Sequence, residues 1–304
     1  MAASHQSLGQ VEQFNCNPKE GMPWLLLPIS QRIQDFSANR STTLIQQSTT
    51  PPLGPASPLI LGTVPYQVGA PLLEGLDAHP GVELRQQVPT QLIRSLRAGE
   101  LEGALVSSIE AFRRPGLLAL NHLGIACDGE VASVRLFCRK APQDVKSLAL
   151  DDSSATSVAL TRVLLKKRYG ARIMEESRIP PTLQPDSIDA DAVLMIGDFG
   201  VAAQSNRPFI LDLGEEWARW KNLPFVFALW LFRCPEPRVR EASEILMDCR
   251  MKAKQRATSD GTGGRICHDL DPRFLAGLEE FHNEAASLGL CEASIQPVWV
   301  GPPR

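Results

Sequence analysis

"LDDSSATSVALTRVLLKKRYG", residues 150–170, carries the reading of this chain. An apolar run, "KSLALDD" (146–152), ends in two aspartates, and Ser153, Ser154, Thr156 and Ser157 put four hydroxyls into the next five positions. A helical pattern follows and stops at Gly170. A strand that runs into such a helix start exposes unpaired backbone N–H groups at the positive end of the helix dipole, with alcohols beside them. A carboxylate or phosphate fits there. Ser and Thr are also preferred helix caps whatever the function. Four hydroxyls exceed what one cap needs, so anion binding stands beside plain capping as a reading.

The same strand-then-helix order recurs upstream. "LILGTV" (59–64) reads as a strand, "APLLEGLDAH" (70–79) as a helix, "VELRQQV" (82–88) as a strand, "TQLIRSLRAGE" (90–100) as a helix and "GALVSSI" (103–109) as a third strand. Two βα units in close succession predict a parallel, doubly wound sheet. "LLALNHLGIACDGEVASVRLFCR" (117–139) reads as two extended pieces. After it comes a second α/β series, closed by the strand "ADAVLMIGD" (190–198). "LPFVFALWLFR" (223–233) is a long apolar strand, and the tail from Glu236 is helical with a Gly-rich break, "SDGTGGR". Two α/β series joined by extended segments predict two lobes with a ligand cleft between them. Residues 58–138 and 225–304 form lobe 1 and residues 139–224 lobe 2, with "VASVRLFCR" and "LPFVFALWLF" crossing between them. Residues 1–57, rich in Gln, Ser, Thr and Pro, read as a disordered extension.

Composition removes several function classes. The chain has 304 residues, a net charge of -3 and a pI near 6.0, so no basic field draws nucleic acid or an anionic membrane. No segment reaches the ~20 apolar residues of a membrane span. "MPWLLLPIS" is too short and proline-broken to be a secretory signal. Seven cysteines occur without CxxC or His-rich companions, which argues for free thiols in a reducing cytoplasm rather than zinc or disulfides. His5, His79, His122, His268 and His282 show no metal-ligand spacing. No GxSxG, GxxxxGK[ST] or GxGxxG follows a strand. Three other strand ends or helix starts carry polar groups. Thr90 follows Pro89 and would cap its helix. Ser107 and Ser108 end a strand on the side where ligands bind in open α/β sheets. Asp198, in "MIGD", either faces the cleft or caps the next turn.

Taken in order, "GTVPYQVGAPL", "GELEGALVSSIE", "GIACDGEVASV", "SSATSVALTRVLL", "DADAVLMIGD", "DLGEEWARWKNLPFVFALW" and "LAGLEEFHNEAASLGL" resemble the chorismate dehydratase family of the futalosine route to menaquinone. That family has a type II periplasmic-binding-protein-like fold. The resemblance implies a cytoplasmic lyase that removes water from chorismate, giving 3-[(1-carboxyvinyl)oxy]benzoate, without metal or organic cofactor. It implies a small-molecule dicarboxylate as partner, no nucleic acid and no membrane, with a homodimer as the one assembly allowed for. The catalytic role falls on Ser133, which the residues alone would leave as an ordinary strand position. Ser153, Thr156 and Ser157 become carboxylate contacts, in company with Thr90, Ser107, Ser108 and Asp198. The first turn contributes Tyr66, Gln67, Val68 and Gly69. Val68 stands where the family has a functional Asn, and valine neither donates nor accepts a hydrogen bond. Loss of one catalytic donor costs about two to three powers of ten in rate. The alternative is therefore a non-catalytic small-carboxylate-binding protein of the same fold. Lys221-Asn222 likewise replaces Thr-Gly in "WARWKNLPF". Either way, the dianion is expected to be held by amide dipoles and alcohols instead of arginines or metal.

Overall fold

The structure, a computed structural model, describes residues 57–64, 67–260 and 266–302, and of residues 67, 68 and 256–260 only the backbone. The extension expected over residues 1–57 lies outside these, Ser57 excepted. The first strands and helix are β1 (Leu59–Thr63), β2 (Val82–Gln86), α1 (Pro89–Ala98), β3 (Gly103–Ser107) and β4 (Leu118–Cys127). They are followed by β5 (Val134–Cys138), β6 (Ser147–Asp151), α2 (Ala155–Val163), β7 (Glu175–Ile179), β8 (Ala192–Ile196), α3 (Gly197–Ala202), β9 (Phe209–Asp212) and α4 (Leu213–Lys221). The chain closes with β10 (Phe225–Phe232), α5 (Glu236–Asp260), β11 (Ile266–Asp269), α6 (Pro272–Ser287) and β12 (Val298–Val300).

These strands make two sheets. The first runs β11-β4-β10-β3-β1-β2, with β12 pairing alongside β4, and the second runs β7-β6-β8-β5-β9. Parallel pairing is confined mainly to β2-β1-β3 and β7-β6-β8; β10 lies antiparallel between β3 and β4, and β5 antiparallel between β8 and β9. The sheets are thus mixed, not the wholly parallel sheets expected from the βα units. The late strand β10 inserts beside β3 because both its faces are apolar and all its residues but Ala228 are buried in the core.

The chain leaves the first sheet after Cys127, enters the second at Val134, and returns between Asp212 and Phe225. Both expected crossing runs begin in a crossing, at residues 131–133 and 223–224, but their strands do not cross. Val134–Cys138, assigned by sequence to the first lobe, pairs wholly within the second sheet, and β10 wholly within the first. The crossings are the short 128–133 segment and the stretch from α4 to Pro224.

Local chemistry accounts for the element ends. Pro89 starts α1, where its missing N–H costs nothing, and Gly99 stops it at φ +77 with its N–H bonded back to Leu96 and Ser95. Gly62 lets α1 lie close on β1, since a Cβ there would come within 2.6 Å of Leu92 and Leu101. Residues 70–79, expected as a helix, form instead the end of a 3-10 helix (Gln67–Leu72) followed by turns closed by hydrogen bonds from Leu73 N–H to Ala70, Leu76 N–H to Leu73 and His79 N–H to Leu76. Pro71 breaks the hydrogen-bond ladder and Gly75 sits at φ +75. Asn222 ends α4 at φ 55, the left-handed conformation that the family's glycine would take and that Asn tolerates best of the other residues. Lys221 beside it bonds Glu280 at 2.7 Å and also Glu284, fastening α4 to α6. Trp217, Phe225 and Phe281 meet edge-to-face in the core, and the Trp217 indole N–H donates to the Pro224 carbonyl at 3.2 Å.

Candidate functional site

The site begins where β6 ends. Asp151 is fully buried, and its carboxylate accepts from Ser153 N–H at 2.9 Å and from Ile196 N–H at 3.2 Å, joining the ends of β6 and β8. Burial pushes its pKa up, against the pull of the hydrogen bonds from Ser153 and Ile196. Ser154 caps α2: its Oγ accepts from Ser157 N–H at 3.2 Å and from Ser157 Oγ at 3.0 Å. The Ala155 N–H is taken by Ser107 Oγ at 3.1 Å, from the other sheet. The Thr156 N–H has no partner among the described residues.

The hydroxyls expected to bind ligand divide into two sets. Ser107, Ser133, Ser153 and Ser157, with Thr90, line one cavity of about 400 Å³. Ser108 and Thr156 do not. Both are fully buried: Ser108 Oγ donates to the Val226 carbonyl at 2.7 Å and lies 3.2 Å from Thr156 Oγ1, which accepts from Ile109 N–H at 3.2 Å. Their hydrogen bonds are spent tying the first turn of α2 to β3 and β10, which leaves them for structure.

Ser133 comes from the crossing segment. It is 8% exposed, borders the cavity, and its hydroxyl has no partner among the described residues. The residue before it, Ala132, holds φ +63, and the carboxylate of Asp212 accepts from Val131 N–H (3.0 Å) and Ala132 N–H (2.6 Å).

Much of the remaining wall is apolar, with Leu105, Ile125, Ile196 and Phe227 drawn from both sheets and Val158 from α2. Three arginines join it, which overturns the expectation of a site without them. Arg113 is held by Glu110 at 2.6 Å, and Arg162 clasps Glu176 through Nε at 3.1 Å to each oxygen. Arg178 has no hydrogen-bond or ion-pair partner among the described residues. It lies on β7 in register with Leu150, two residues beyond Glu176, so both side chains rise on the face that carries α2. Its strand, "EESRI", is an exposed edge without an apolar alternation, so no sequence signal marked it.

The other expected positions lie elsewhere. Asp198 is exposed in the first turn of α3, outside the cavity wall. Gly69 is buried against Leu105 and Leu73, also outside it. Tyr66 lies outside the described residues, and only the backbone of Gln67 and Val68 is described, in the 3-10 turn. Val64, just before that turn, does border the cavity. Among the described residues no cluster of His, Cys, Asp or Glu has the makings of a metal site, and no helix is long and apolar enough to cross a membrane.

A sequence model of the menaquinone biosynthesis family matches residues 59–261. The chain belongs to that family. Among relatives of the chain, the chorismate dehydratase of Thermus thermophilus is 33% identical over 212 residues, covering 64% of this chain and 76% of the relative. The chorismate dehydratase of Campylobacter jejuni is 30% identical over 159 residues, covering 52% of this chain and 56% of the relative. The two-sheet architecture recurs in solved structures. The alkanesulfonate-binding protein SsuA of Xanthomonas axonopodis, bound to MOPS, superposes with a TM-score of 0.51 at 16% identity, over 81% of this chain and 99% of that one. A protein of Archaeoglobus fulgidus superposes with a TM-score of 0.50 at 17% identity, over 78% and 100%. The fold of this family member is thus that of periplasmic binding proteins.

Proposed function

We propose that the protein is a chorismate dehydratase, a carbon–oxygen lyase that converts chorismate into 3-[(1-carboxyvinyl)oxy]benzoate and water for menaquinone biosynthesis. The observation that carries the reading is convergence: Ser133 on the crossing segment, Ser107 on β3 and the start of α2 all border one largely apolar cavity. Its volume lies within the ~300–1,000 Å³ of small-molecule sites. The named relatives support the same chemistry. We take each sheet with its helices as one lobe, the cavity lying between them, and the cytoplasm as the compartment.

In this reading one carboxylate rests at the positive end of the α2 dipole, where Ser153 and Ser154 border the cavity. The other carboxylate pairs with Arg178, the arginine of the cavity wall that has no anion among the described residues. The ring lies on the apolar wall, where water is scarce and polar contacts strengthen. The ring must lose one proton and its hydroxyl, and the product ring is aromatic. Ser133 hydrogen-bonds at the reacting edge of the ring, assisting the hydroxyl as it leaves.

Purified protein incubated with chorismate should release the enolpyruvyl benzoate, followed by chromatography with mass detection, and Ser133→Ala should lower the rate about a hundredfold or more. Chorismate bound tightly and recovered intact from the native protein would replace this reading with the non-catalytic one.

A further inference from the structure

Ala132 and Asn222 are the two non-glycine residues with positive φ among the described residues. Asn222 is an ordinary helix stop. Ala132 is not: alanine has neither the freedom of glycine nor the local hydrogen bonds that let asparagine adopt this conformation. Something must hold it there.

Asp212 does so. It ends β9, stands opposite Arg135 of β5, and is only 8% exposed. One oxygen accepts from Val131 N–H and from Glu215 N–H, each at 3.0 Å, while the other accepts from Ala132 N–H at 2.6 Å. One carboxylate therefore caps α4 and fixes the turn that delivers Ser133. The far side of Ser133 is held as well. Gly200 of α3 lies so close that a Cβ would collide with the Ser133 carbonyl, and Arg135 keeps α3 there by donating to the carbonyls of Gly200 (2.6 Å), Val201 (2.8 Å) and Ala203 (3.1 Å). A left-handed residue sustained by a buried carboxylate immediately before a free serine hydroxyl stores strain for a purpose.

We propose that Asp212 is the positioning residue for Ser133. By holding residues 131–132 in the left-handed turn, it sets the direction in which the Ser133 hydroxyl enters the cavity. This rests on the reading of Ser133 as the group that touches the reacting ring.

Asp212→Asn is the discriminating change. Asparagine is as good a helix cap as aspartate, and its remaining oxygen can serve Val131 and Glu215. Its NH2 would instead face the Ala132 N–H, donor against donor. The expected result is a kcat about ten- to a hundredfold lower with KM little changed. Adding Ala132→Gly should restore most of the lost kcat, because glycine takes positive φ without a partner. Exchange of the 131–133 amides, read without substrate, should speed up about tenfold or more in Asp212→Asn. An Asp212→Asn protein with native kcat and native amide exchange would overturn the proposal. So would a loss of kcat that Ala132→Gly fails to repair. If Ser133→Ala turns over chorismate at the native rate, or the native protein does not turn it over, the reading of Ser133 fails instead. The amide exchange then still decides whether Asp212 holds the turn.

Discussion

Replacing Arg178 by glutamine keeps a long polar side chain and removes one charge. Arg178 is exposed at the cavity wall and unpaired, whereas Arg113 and Arg162 already face carboxylates. Two opposite charges ~4 Å apart attract by about 1 kcal/mol in water and about 4 kcal/mol at an effective dielectric of 20. A side chain open to solvent on one side lies toward the lower end, at about 1–2 kcal/mol. That corresponds to about a 5- to 30-fold rise in KM for chorismate, with kcat nearly unchanged, because the second carboxylate is bound alike before and during the reaction. Initial rates of product formation at low salt measure this. The native advantage should shrink as salt rises, since the screening length falls from about 10 Å at 0.1 M to about 3 Å at 1 M. A native KM in Arg178→Gln, or a loss confined to kcat, would refute the pairing.

Three further outcomes follow from the geometry. Thr156→Val leaves the Ile109 N–H buried without an acceptor and should destabilise by about 1–3 kcal/mol, read as a lower urea midpoint. Gly277→Ala drives a Cβ into the Pro224 carbonyl where α6 meets β10, and should lower the melting temperature through a strain of about 1–3 kcal/mol. Burial alone would raise the pKa of Glu102, yet Arg238 and the Ile60 N–H hold it below its ordinary 4.5. A depressed folded pKa stabilises above the unfolded value and loses that contribution as pH falls through the folded one. Stability should therefore drop below about pH 4.5, and Glu102→Gln should flatten part of that fall in a urea series across pH.

The strands with continuous apolar runs, β1, β6, β8 and β10, are legible because burial on both faces leaves little room for polar residues. β7 is an exposed edge and carries no such pattern, which is why Arg178 went unseen. The hydroxyls at the start of α2 were visible as a cluster. Which of them face the cavity was not, because Thr156 is claimed by Ser108 and Ile109, partners 48 and 47 positions away in the turn after β3. Ser133 is ordinary as a residue type. Its setting depends on Asp212, 80 positions from Ala132, and no local spacing reveals that carboxylate.

The bonds from Ser107 to Ala155, from Ile109 to Thr156 and between Ser108 and Thr156 span the seam between the two sheets. They act as a latch. If the halves part to admit a guest, all three must break together, at about 1 kcal/mol each, so the sprung form is disfavoured about a hundredfold. Entry would then be gated well below the diffusion limit, and whatever is caught behind the latch would have a correspondingly long residence time.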